Sequence, residues 1–282
     1  RRATHTATSA GLDERTLDSQ AFALQSNWLS DHLVSTVGWR KEKSSILGVN
    51  APAEPTGEGY VLVDAPSFSL SNPTLVPQKF EKTLFAWSAV AKAPEKWLKR
   101  VPVISTLNAY YGTSENFSPP AGRTVDTFGR EIAPPRGITK GKGLYFEAFD
   151  GRITARLNFF ETTQTGSFNG SVGGIPAVIV GIHTATYNIV RSGAVANAGN
   201  GFPANYIAPP QALLDLFNWK VQNGTVSSSN PGVQDTSDFV TKGKELEVLF
   251  RPTRGLSFVL NVSEQESVRS NTGATTRKLL FA

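Results

Sequence analysis

The chain has 282 residues, of which 18% are charged, and its formal net charge is +5 at pH 7. It contains no cysteine and no methionine, which excludes disulfides, zinc–thiolate sites and thiol nucleophiles. The basic residues are scattered, and no basic helix or aromatic-basic RNA-binding signature occurs, so we expect no nucleic-acid partner. Because the chain begins at Arg1 without a signal peptide, we expect a mature form or a fragment of a longer protein.

The first half of the chain alternates apolar and polar residues in segments that can pair as hairpins. The first predicted hairpin joins residues 17–29 to residues 32–47 through a turn at Ser30-Asp31. The second joins residues 79–90 to residues 101–114. These segments give four predicted strands.

Two later hairpins begin with the same four residues. One is TKGKGLYFEAFDGRITARLNFFETTQ at residues 139–164, which turns at Asp150-Gly151. The other is TKGKELEVLFRPTRGLSFVLNVSEQE at residues 241–266, which turns at residues 252–255. Alternation on both sides of a short polar turn predicts a β-hairpin in each case. The total is eight strands.

Three long segments rich in Gly, Pro, Asn and Ser separate the hairpins, at residues 48–78, 118–138 and 167–236. Short and long connections therefore alternate, as in a transmembrane β-barrel. The strands exceed the ~5 to 6 residues usual in globular proteins and reach the ~9 to 11 that cross a bilayer. We predict an all-β, antiparallel segment of a transmembrane barrel across residues 1–282. The alternative is a half-exposed sheet on a soluble core, which alternates in the same way.

The alternation also predicts which residues face lipid and which face water. We expect the lumen to be lined by Arg156, Asn158, Glu247 and Asn261, and lipid to be contacted by Leu157, Phe159, Val248 and Leu260. Aromatic residues near strand ends fit the interfacial girdles of a barrel. Those by the short turns are Trp28, Trp97, Phe149 and Phe250, and those near the long loops are Tyr110, Tyr111 and Phe117.

The third long segment has features of its own. The apolar stretch 174–190 contains His183 and other polar residues, and we expect it to be too short and too polar to span a membrane. Residues 209–221, PPQALLDLFNWKV, have helical spacing and predict a short amphipathic helix. The last ten residues, GATTRKLLFA, resemble a helix start.

This segment is longer than ordinary connections, which favours a functional loop. Four of its aromatic residues could stack on sugar rings or aromatic chelators, and are our candidates for ligand contact: Tyr187, Phe202, Tyr206 and Trp219. The alternative is that they pack only against the loop itself.

Motifs for catalysis are absent from the sequence. The three histidines lie far apart, and no His-Glu-x-x-His, Gly-x-Ser-x-Gly or phosphate loop occurs. Glu245 and Glu247 could form a carboxylate pair, but two water-facing residues on a barrel wall explain them more simply. Asp235 and Asp238 are too few for a loop cation site. We therefore expect no enzyme, no cofactor and no metal site.

Four segments resemble successive barrel segments of TonB-dependent outer-membrane receptors: SDHLVSTVGWRKEK (30–43), LNAYYGTSENFSPP (107–120), GKGLYFEAFDGRITARLNFFETTQ (141–164) and DFVTKGKELEVLFRPTRGLSFVLNVSEQESVRSN (238–271). The family implies a ~22-stranded barrel closed by a plug. It also implies contact with outer-membrane lipid, and with TonB through that plug. We expect this chain to be the central to C-terminal part of the barrel, without the plug.

The resemblance implies uptake, with energy from TonB, of a scarce small molecule or oligosaccharide, such as an iron chelate, a cobalamin or an oligosaccharide. It places the protein in the outer membrane of a Gram-negative cell. A secreted or surface all-β binding protein and a passive porin are the alternatives. The gene upstream of Arg1 would discriminate between them. The loops set the ligand, and they carry no motif that names it.

Overall fold

The computed structural model describes residues 7, 10–52, 61–101, 103–119, 124–228 and 232–280. Eight of its ten strands are long, with 13 to 19 residues each. The strands are β1 (Gly11–Trp28), β2 (Leu33–Asn50), β3 (Gln78–Lys92), β4 (Ile104–Phe117), β5 (Arg136–Ala148), β6 (Ile153–Asn169), β7 (Lys220–Gln222), β8 (Thr225–Ser227), β9 (Asp235–Thr253) and β10 (Leu256–Ser270). The helices are α1 (Glu95–Leu98), α2 (Gly170–Gly173), α3 (Ile175–Arg191), α4 (Gln211–Leu216) and α5 (Ala274–Leu280).

The eight long strands form one antiparallel sheet in the order β1-β2-β3-β4-β5-β6-β9-β10. This confirms the predicted all-β, antiparallel fold with eight long strands. The short strands β7 and β8 form a separate hairpin between β6 and β9. Among the described residues neither β1 nor β10 has a second neighbour, so the sheet is open and both edge strands carry unpaired backbone groups.

Connections alternate in length, as predicted. The short ones cover residues 29–32, 93–103, 149–152 and 254–255, whereas the long ones cover residues 51–77, 118–135 and 170–234. In the first turn Leu29, Ser30 and Asp31 all have positive φ, a conformation that is uncommon for residues other than glycine. Part of the first long connection lies outside the described residues.

The third long connection contains more helix than the sequence predicted. The predicted helix after Pro210 is present as α4, but it ends at Leu216, and Val221 lies in β7. Helix α3 was not predicted. By length and composition, Gly170–Arg191 could cross a membrane, contrary to the expectation that this stretch is too short and too polar. A single such helix is weak evidence for a span, and α3 packs into the loops through Val180 and His183.

The main buried apolar cluster lies beyond the sheet, between the long connections. It consists of Val125, Val180, Leu213, Leu214, Phe217 and Val233. A parallel bridge between Val125 and Val233 ties the second long connection to the third. Leu279 of helix α5 packs against this cluster. Helix α5 itself confirms the predicted C-terminal helix as far as Leu280. Residues 281–282 lie outside the described part of the chain.

Helix α5 is tied to the start of β9 by Asp235. This carboxylate is 1% exposed and accepts hydrogen bonds from the backbone N–H groups of Thr276 (2.7 Å), Thr275 (3.5 Å) and Thr236 (2.8 Å). The bonds from Thr275 and Thr276 satisfy N–H groups that the start of α5 leaves unpaired. Asp235 is therefore a capping residue, which accounts for one of the two loop acids singled out in the sequence.

Candidate functional site

Strand register divides the sheet into two faces. Arg156 lies opposite Glu247, and Glu247 lies opposite Asn261. Asn158, two residues along β6 from Arg156, shares their side, which we call the Asn158 face. The four residues predicted to line a lumen therefore share one face. The four predicted to contact lipid, Leu157, Phe159, Val248 and Leu260, alternate with them and share the other, which we call the Leu157 face.

The half of the Leu157 face next to the short turns is apolar, and we call it the lower band. It includes large side chains that are about half exposed, such as Phe22 (60%) and Leu260 (54%). An exposed apolar surface that continues across eight strands marks a contact with protein or membrane. The band consists of Phe22, Leu24, Trp28, Leu33, Val37, Trp39, Phe85, Trp87, Ala89, Leu107, Ala109, Tyr111, Leu144, Phe146, Ala148, Ile153, Ala155, Leu157, Phe159, Leu246, Val248, Phe250, Phe258, Leu260 and Val262.

Aromatic residues stand along both margins of the lower band. By the short turns, the rings of Phe250 and Phe258 are 6.2 Å apart, and Trp28 ends β1. At the other margin Trp39 lies 6.1 Å from Phe22 and 5.5 Å from Phe85. This margin continues with the pair Trp87 and Tyr111 (5.4 Å) and with Phe159. The band is therefore bounded by two aromatic rows.

The predicted girdle residues fall in different places. Trp28, Phe250 and Tyr111 lie in these rows. Tyr110 does not, because it points to the Asn158 face and donates a hydrogen bond to Asn158. Phe117 is buried at the end of β4.

Above the second aromatic row the Leu157 face becomes charged, and we call this half the upper band. In β6 the change comes between Phe159 and Glu161, the next residue on that face. The upper band holds five ion pairs between neighbouring strands: Lys41–Glu81 (2.6 Å), Lys43–Glu81 (3.7 Å), Arg136–Glu115 (2.6 Å), Lys242–Glu161 (3.1 Å) and Lys244–Glu264 (2.8 Å). The face thus has a sharp apolar-to-charged boundary.

The Asn158 face carries a polar network at the level of the lower band. The Tyr110 hydroxyl donates to Asn158 Oδ1 (2.7 Å), and Asn158 Nδ2 donates to Glu245 Oε2 (3.0 Å). Nearby, Glu147 accepts hydrogen bonds from Thr106 (3.0 Å) and from Tyr145. Glu245 and Glu247 have different cross-strand neighbours, Asn158 and Arg156. That arrangement suits a hydrated polar wall better than a paired acid and base.

A hollow of about 520 Å³ lies on the Asn158 face. Its floor is made mainly of small residues, including Gly38, Ala86, Gly112 and Gly141, with Tyr110 at its side. Small side chains leave this part of the polar face recessed, whereas the Leu157 face bears bulky rings at the same level. Together the two faces have the polarity and shape of a barrel wall seen from inside and outside.

The four aromatic candidates of the third loop lie together around a fifth residue, His183. The His183 ring stacks on Phe202 (4.4 Å) and is 4.5 Å from Trp219. Phe202 stacks on Tyr206 (4.8 Å), and Tyr187 is 5.8 Å from Phe202. We call these five residues the aromatic cluster. His183 is not among the candidates predicted from the sequence, although its place one helical turn before Tyr187 is a signal that links the two.

Hydrogen bonds fix the geometry of the aromatic cluster. The Nδ1 atom of His183 and the Tyr206 hydroxyl are 2.8 Å apart, and Trp219 Nε1 donates to the Thr184 hydroxyl at 2.9 Å. His183 is 2% exposed, and this burial lowers its pKa. The other four rings are half-buried, so the cluster packs largely on itself and presents its outer edges to solvent.

Helix α3 also has an exposed apolar side. Val178 and Ile182 are 61% and 58% exposed, and Ile189 lies along the same side. Among the described residues, no three His, Asp or Glu side chains lie together as metal ligands would. This side of α3 is thus aliphatic and exposed.

No protein-family model and no curated protein matches the chain. Solved structures that resemble it include the alcaligin outer-membrane receptor FauA from Bordetella pertussis, with 12% identity and a TM-score of 0.48 over 91% of this chain and 31% of that one. The pyoverdine outer-membrane receptor FpvA from Pseudomonas aeruginosa has 11% identity and a TM-score of 0.41 over 93% and 37%. The RagAB peptide importer has 11% identity and a TM-score of 0.41 over 93% and 31%.

This chain thus spans about a third of the length of each of these proteins. They are outer-membrane receptors and a peptide importer. All three similarities are distant, so the proposed function rests on the sheet and its loops.

Proposed function

We propose that the eight long strands form about a third of a ~22-stranded barrel in the outer membrane. The Leu157 face contacts lipid, and the Asn158 face lines the lumen. The observation that carries this proposal is the lower band, an apolar strip between two aromatic rows on one face, backed by a polar network on the other. A transmembrane barrel has this outer surface, with aromatic girdles at both interfaces and a polar interior.

A soluble sandwich explains the same sheet less well. A sandwich packs a second sheet on the apolar face, but no second layer covers the lower band in the described part of the chain. The edge strands β1 and β10 support the barrel as well, because their unpaired N–H and C=O groups require further strands. In the proposed barrel, strands outside the described chain pair with both edges.

For the whole protein we propose TonB-dependent uptake of a scarce ligand, such as an iron chelate, a cobalamin or an oligosaccharide. The sequence resemblance to TonB-dependent receptors supports this proposal. The third long connection then stands at the extracellular mouth, in the path of an entering ligand. Within it, the exposed edges of Tyr187, Phe202, Tyr206 and Trp219 would contact that ligand.

Residues 1–282 contain no cysteine, so cysteines introduced there permit a direct test of the faces once any cysteine elsewhere in the full-length protein has been replaced by serine. Single cysteines would replace Leu157 and Leu260 on one face and Asn158 and Asn261 on the other, in the full-length protein within outer-membrane vesicles. We expect cysteines at positions 157 and 260 to react with a lipid-soluble maleimide and to resist a charged one. We expect cysteines at positions 158 and 261 to react with the charged maleimide and to resist the lipid-soluble one. Equal reaction of all four with the charged reagent would refute the membrane assignment.

Uptake is tested in cells. Strains lacking the receptor gene, or lacking TonB, would be compared for growth on a panel of iron chelates, cobalamins and oligosaccharides. We expect growth on one of them to need both proteins. Growth that needs the receptor but not TonB would instead support a passive porin.

A deletion tests whether the third long connection takes part in ligand binding. Replacing residues 194–232 by a short Gly-Ser linker removes three of the four aromatic candidates and leaves all eight long strands. We expect a folded barrel with heat-modifiable migration on gels but no growth on the ligand. Unchanged uptake would show that the loop takes no part in binding.

A further inference from the structure

The two TKGK repeats lie on opposite sides of β6, in matching register. Lys142 of β5 and Lys244 of β9 are both opposite Phe159. One step further along the same face, Lys140 and Lys242 are both opposite Glu161. The duplicated motif therefore surrounds two residues of β6 with four lysines, which we call the four-lysine cluster.

The cluster has the dimensions of a lipid head group. Two residues along a strand are about 7 Å apart, and strands on either side of a third are about 10 Å apart, so the four Cα atoms mark a rectangle of roughly 7 by 10 Å. All four lysines are exposed, Lys242 and Lys244 at 63% and 56%. Their flexible side chains can converge on one group placed over Phe159.

Carboxylates neutralise only part of this charge. Lys242 pairs with Glu161, and Lys244 pairs with Glu264. Within the part of the chain that the structure describes, Lys140 and Lys142 have no acidic partner. Glu266 of β10 lies opposite Lys242 on the same face, so four lysines and three glutamates leave a local charge of +1.

The cluster stands directly on the apolar-to-charged boundary. Below it on the same three strands lie Leu144, Leu157 and Leu246, opposite one another in the lower band. If the lower band contacts acyl chains, a lipid lying on these leucines would have its head group at the level of the lysines.

We propose that the four-lysine cluster binds the phosphate of an anionic lipid in the outer leaflet. Lysine ammonium groups attract phosphate as point charges, and basic residues next to a membrane surface attract anionic lipids. The site rests on the proposed barrel, because the lipid's chains must lie against the lower band. It adds an anchoring site on the outside of the wall, separate from any ligand that passes through.

The test uses the full-length protein in neutral-detergent micelles, with phosphatidylglycerol added at a fixed mole fraction and bound lipids counted by native mass spectrometry. The variant Lys140→Gln/Lys142→Gln removes the two unpaired lysines. The matched control, Lys96→Gln/Lys99→Gln, removes two exposed charges beside a short turn. We expect roughly tenfold weaker retention of phosphatidylglycerol in the first variant and no change in the control.

Three results would overturn the lipid site. These are equal retention in both variants, equal retention of zwitterionic phosphatidylcholine by the unaltered protein, and displacement of the lipid by inorganic phosphate at equal concentration. The last would indicate a general anion site. The cysteine experiment on Leu157 and Asn158 separates the two proposals, because correct labelling with unaltered lipid retention refutes only the lipid site.

Discussion

Replacing Leu157 by arginine should destabilise the barrel strongly. Leu157 is the third of four apolar residues that β6 places on the Leu157 face, between Leu144 of β5 and Leu246 of β9. A guanidinium there has five donors and no acceptor of its own. The first carboxylate on this face of β6 is Glu161, four residues or about 13 Å along the strand, which is beyond the reach of an arginine side chain.

We therefore expect the full cost of an arginine near the bilayer midplane, about 2 to 4 kcal/mol. This corresponds to a loss of roughly 30- to 1,000-fold in the folding equilibrium. The measurement is a urea titration of the full-length protein folded into phosphatidylcholine vesicles. The folded fraction is determined from the heat-modifiable band on gels.

A matched control places the same side chain on the opposite face. Thr154→Arg introduces an arginine three residues away, opposite Glu147 on the Asn158 face. We expect it to change the unfolding free energy by less than about 1 kcal/mol, and Arg156→Ser to have a similarly small effect. Equal destabilisation by Leu157→Arg and Thr154→Arg would show that the two faces are not lipid and lumen.

Three smaller experiments test other parts of the molecule. A Cβ on Gly243 would run into the Phe160 ring and lie 2.9 Å from the Glu264 carbonyl oxygen, whereas a Cβ on Gly141 meets nothing within 4 Å. Gly243→Ala should therefore cost about 1 to 3 kcal/mol in the same titration and Gly141→Ala almost nothing; similar costs would contradict the packing. Because burial lowers the pKa of His183, its stabilising contribution is complete above about pH 6.5 and falls as the pH drops below that value. Because intrinsic amide exchange is slower at low pH, the comparison uses protection factors: those of the α3 amides should be smaller at pH 5.5 than at pH 7.5, and His183→Gln should remove most of that difference. An unchanged difference would exclude His183 as its source. Asp235→Ala should cost about 1 kcal/mol locally, seen as faster exchange in α5 but not in β10, and unchanged exchange in α5 would refute the capping role.

The strands can be predicted from the sequence where they cross the lower band, because apolar and polar residues alternate there. Outside the lower band the strand ends are predicted less well. The first predicted strand began at residue 17, but β1 begins at Gly11. The sequence predicts a loop at residues 136–138, but these residues pair with β4 and β6. In these outer parts both faces are polar, so hydrogen bonding to neighbouring strands extends the sheet without leaving an apolar pattern in the sequence.

The loop was harder to predict for a different reason. Helix α3 is rich in Ile, Val and Thr, residues with modest helix propensity, and packing of Val180 and His183 into the loops favours the helix. The four aromatic candidates were chosen by residue type, but their assembly depends on how residues 192–218 fold back on α3. The chain reversal includes Gly201, which has a φ of +84° and lies against the Tyr187 ring. No short sequence motif indicates this reversal.

The paired TKGK repeats also affect the alignment of the long strands with one another. A slip of one residue reverses the two faces of a strand and exposes apolar residues to the wrong solvent. A slip of two residues keeps the faces and is not opposed by alternation at all. At β6 such a slip would place Thr241 or Glu245 beside Phe160 in place of Gly243. The first of these slips would also place Val240 beside Glu161 in place of Lys242, whereas the second would place Lys244 there. On the β9 edge, the glycine beside Phe160 thus favours the native alignment over the even-numbered slips. On the β5 edge, a slip that brings Gly143 beside Phe160 and Lys142 beside Glu161 keeps both residue types, so alignment there depends on the rest of the strand.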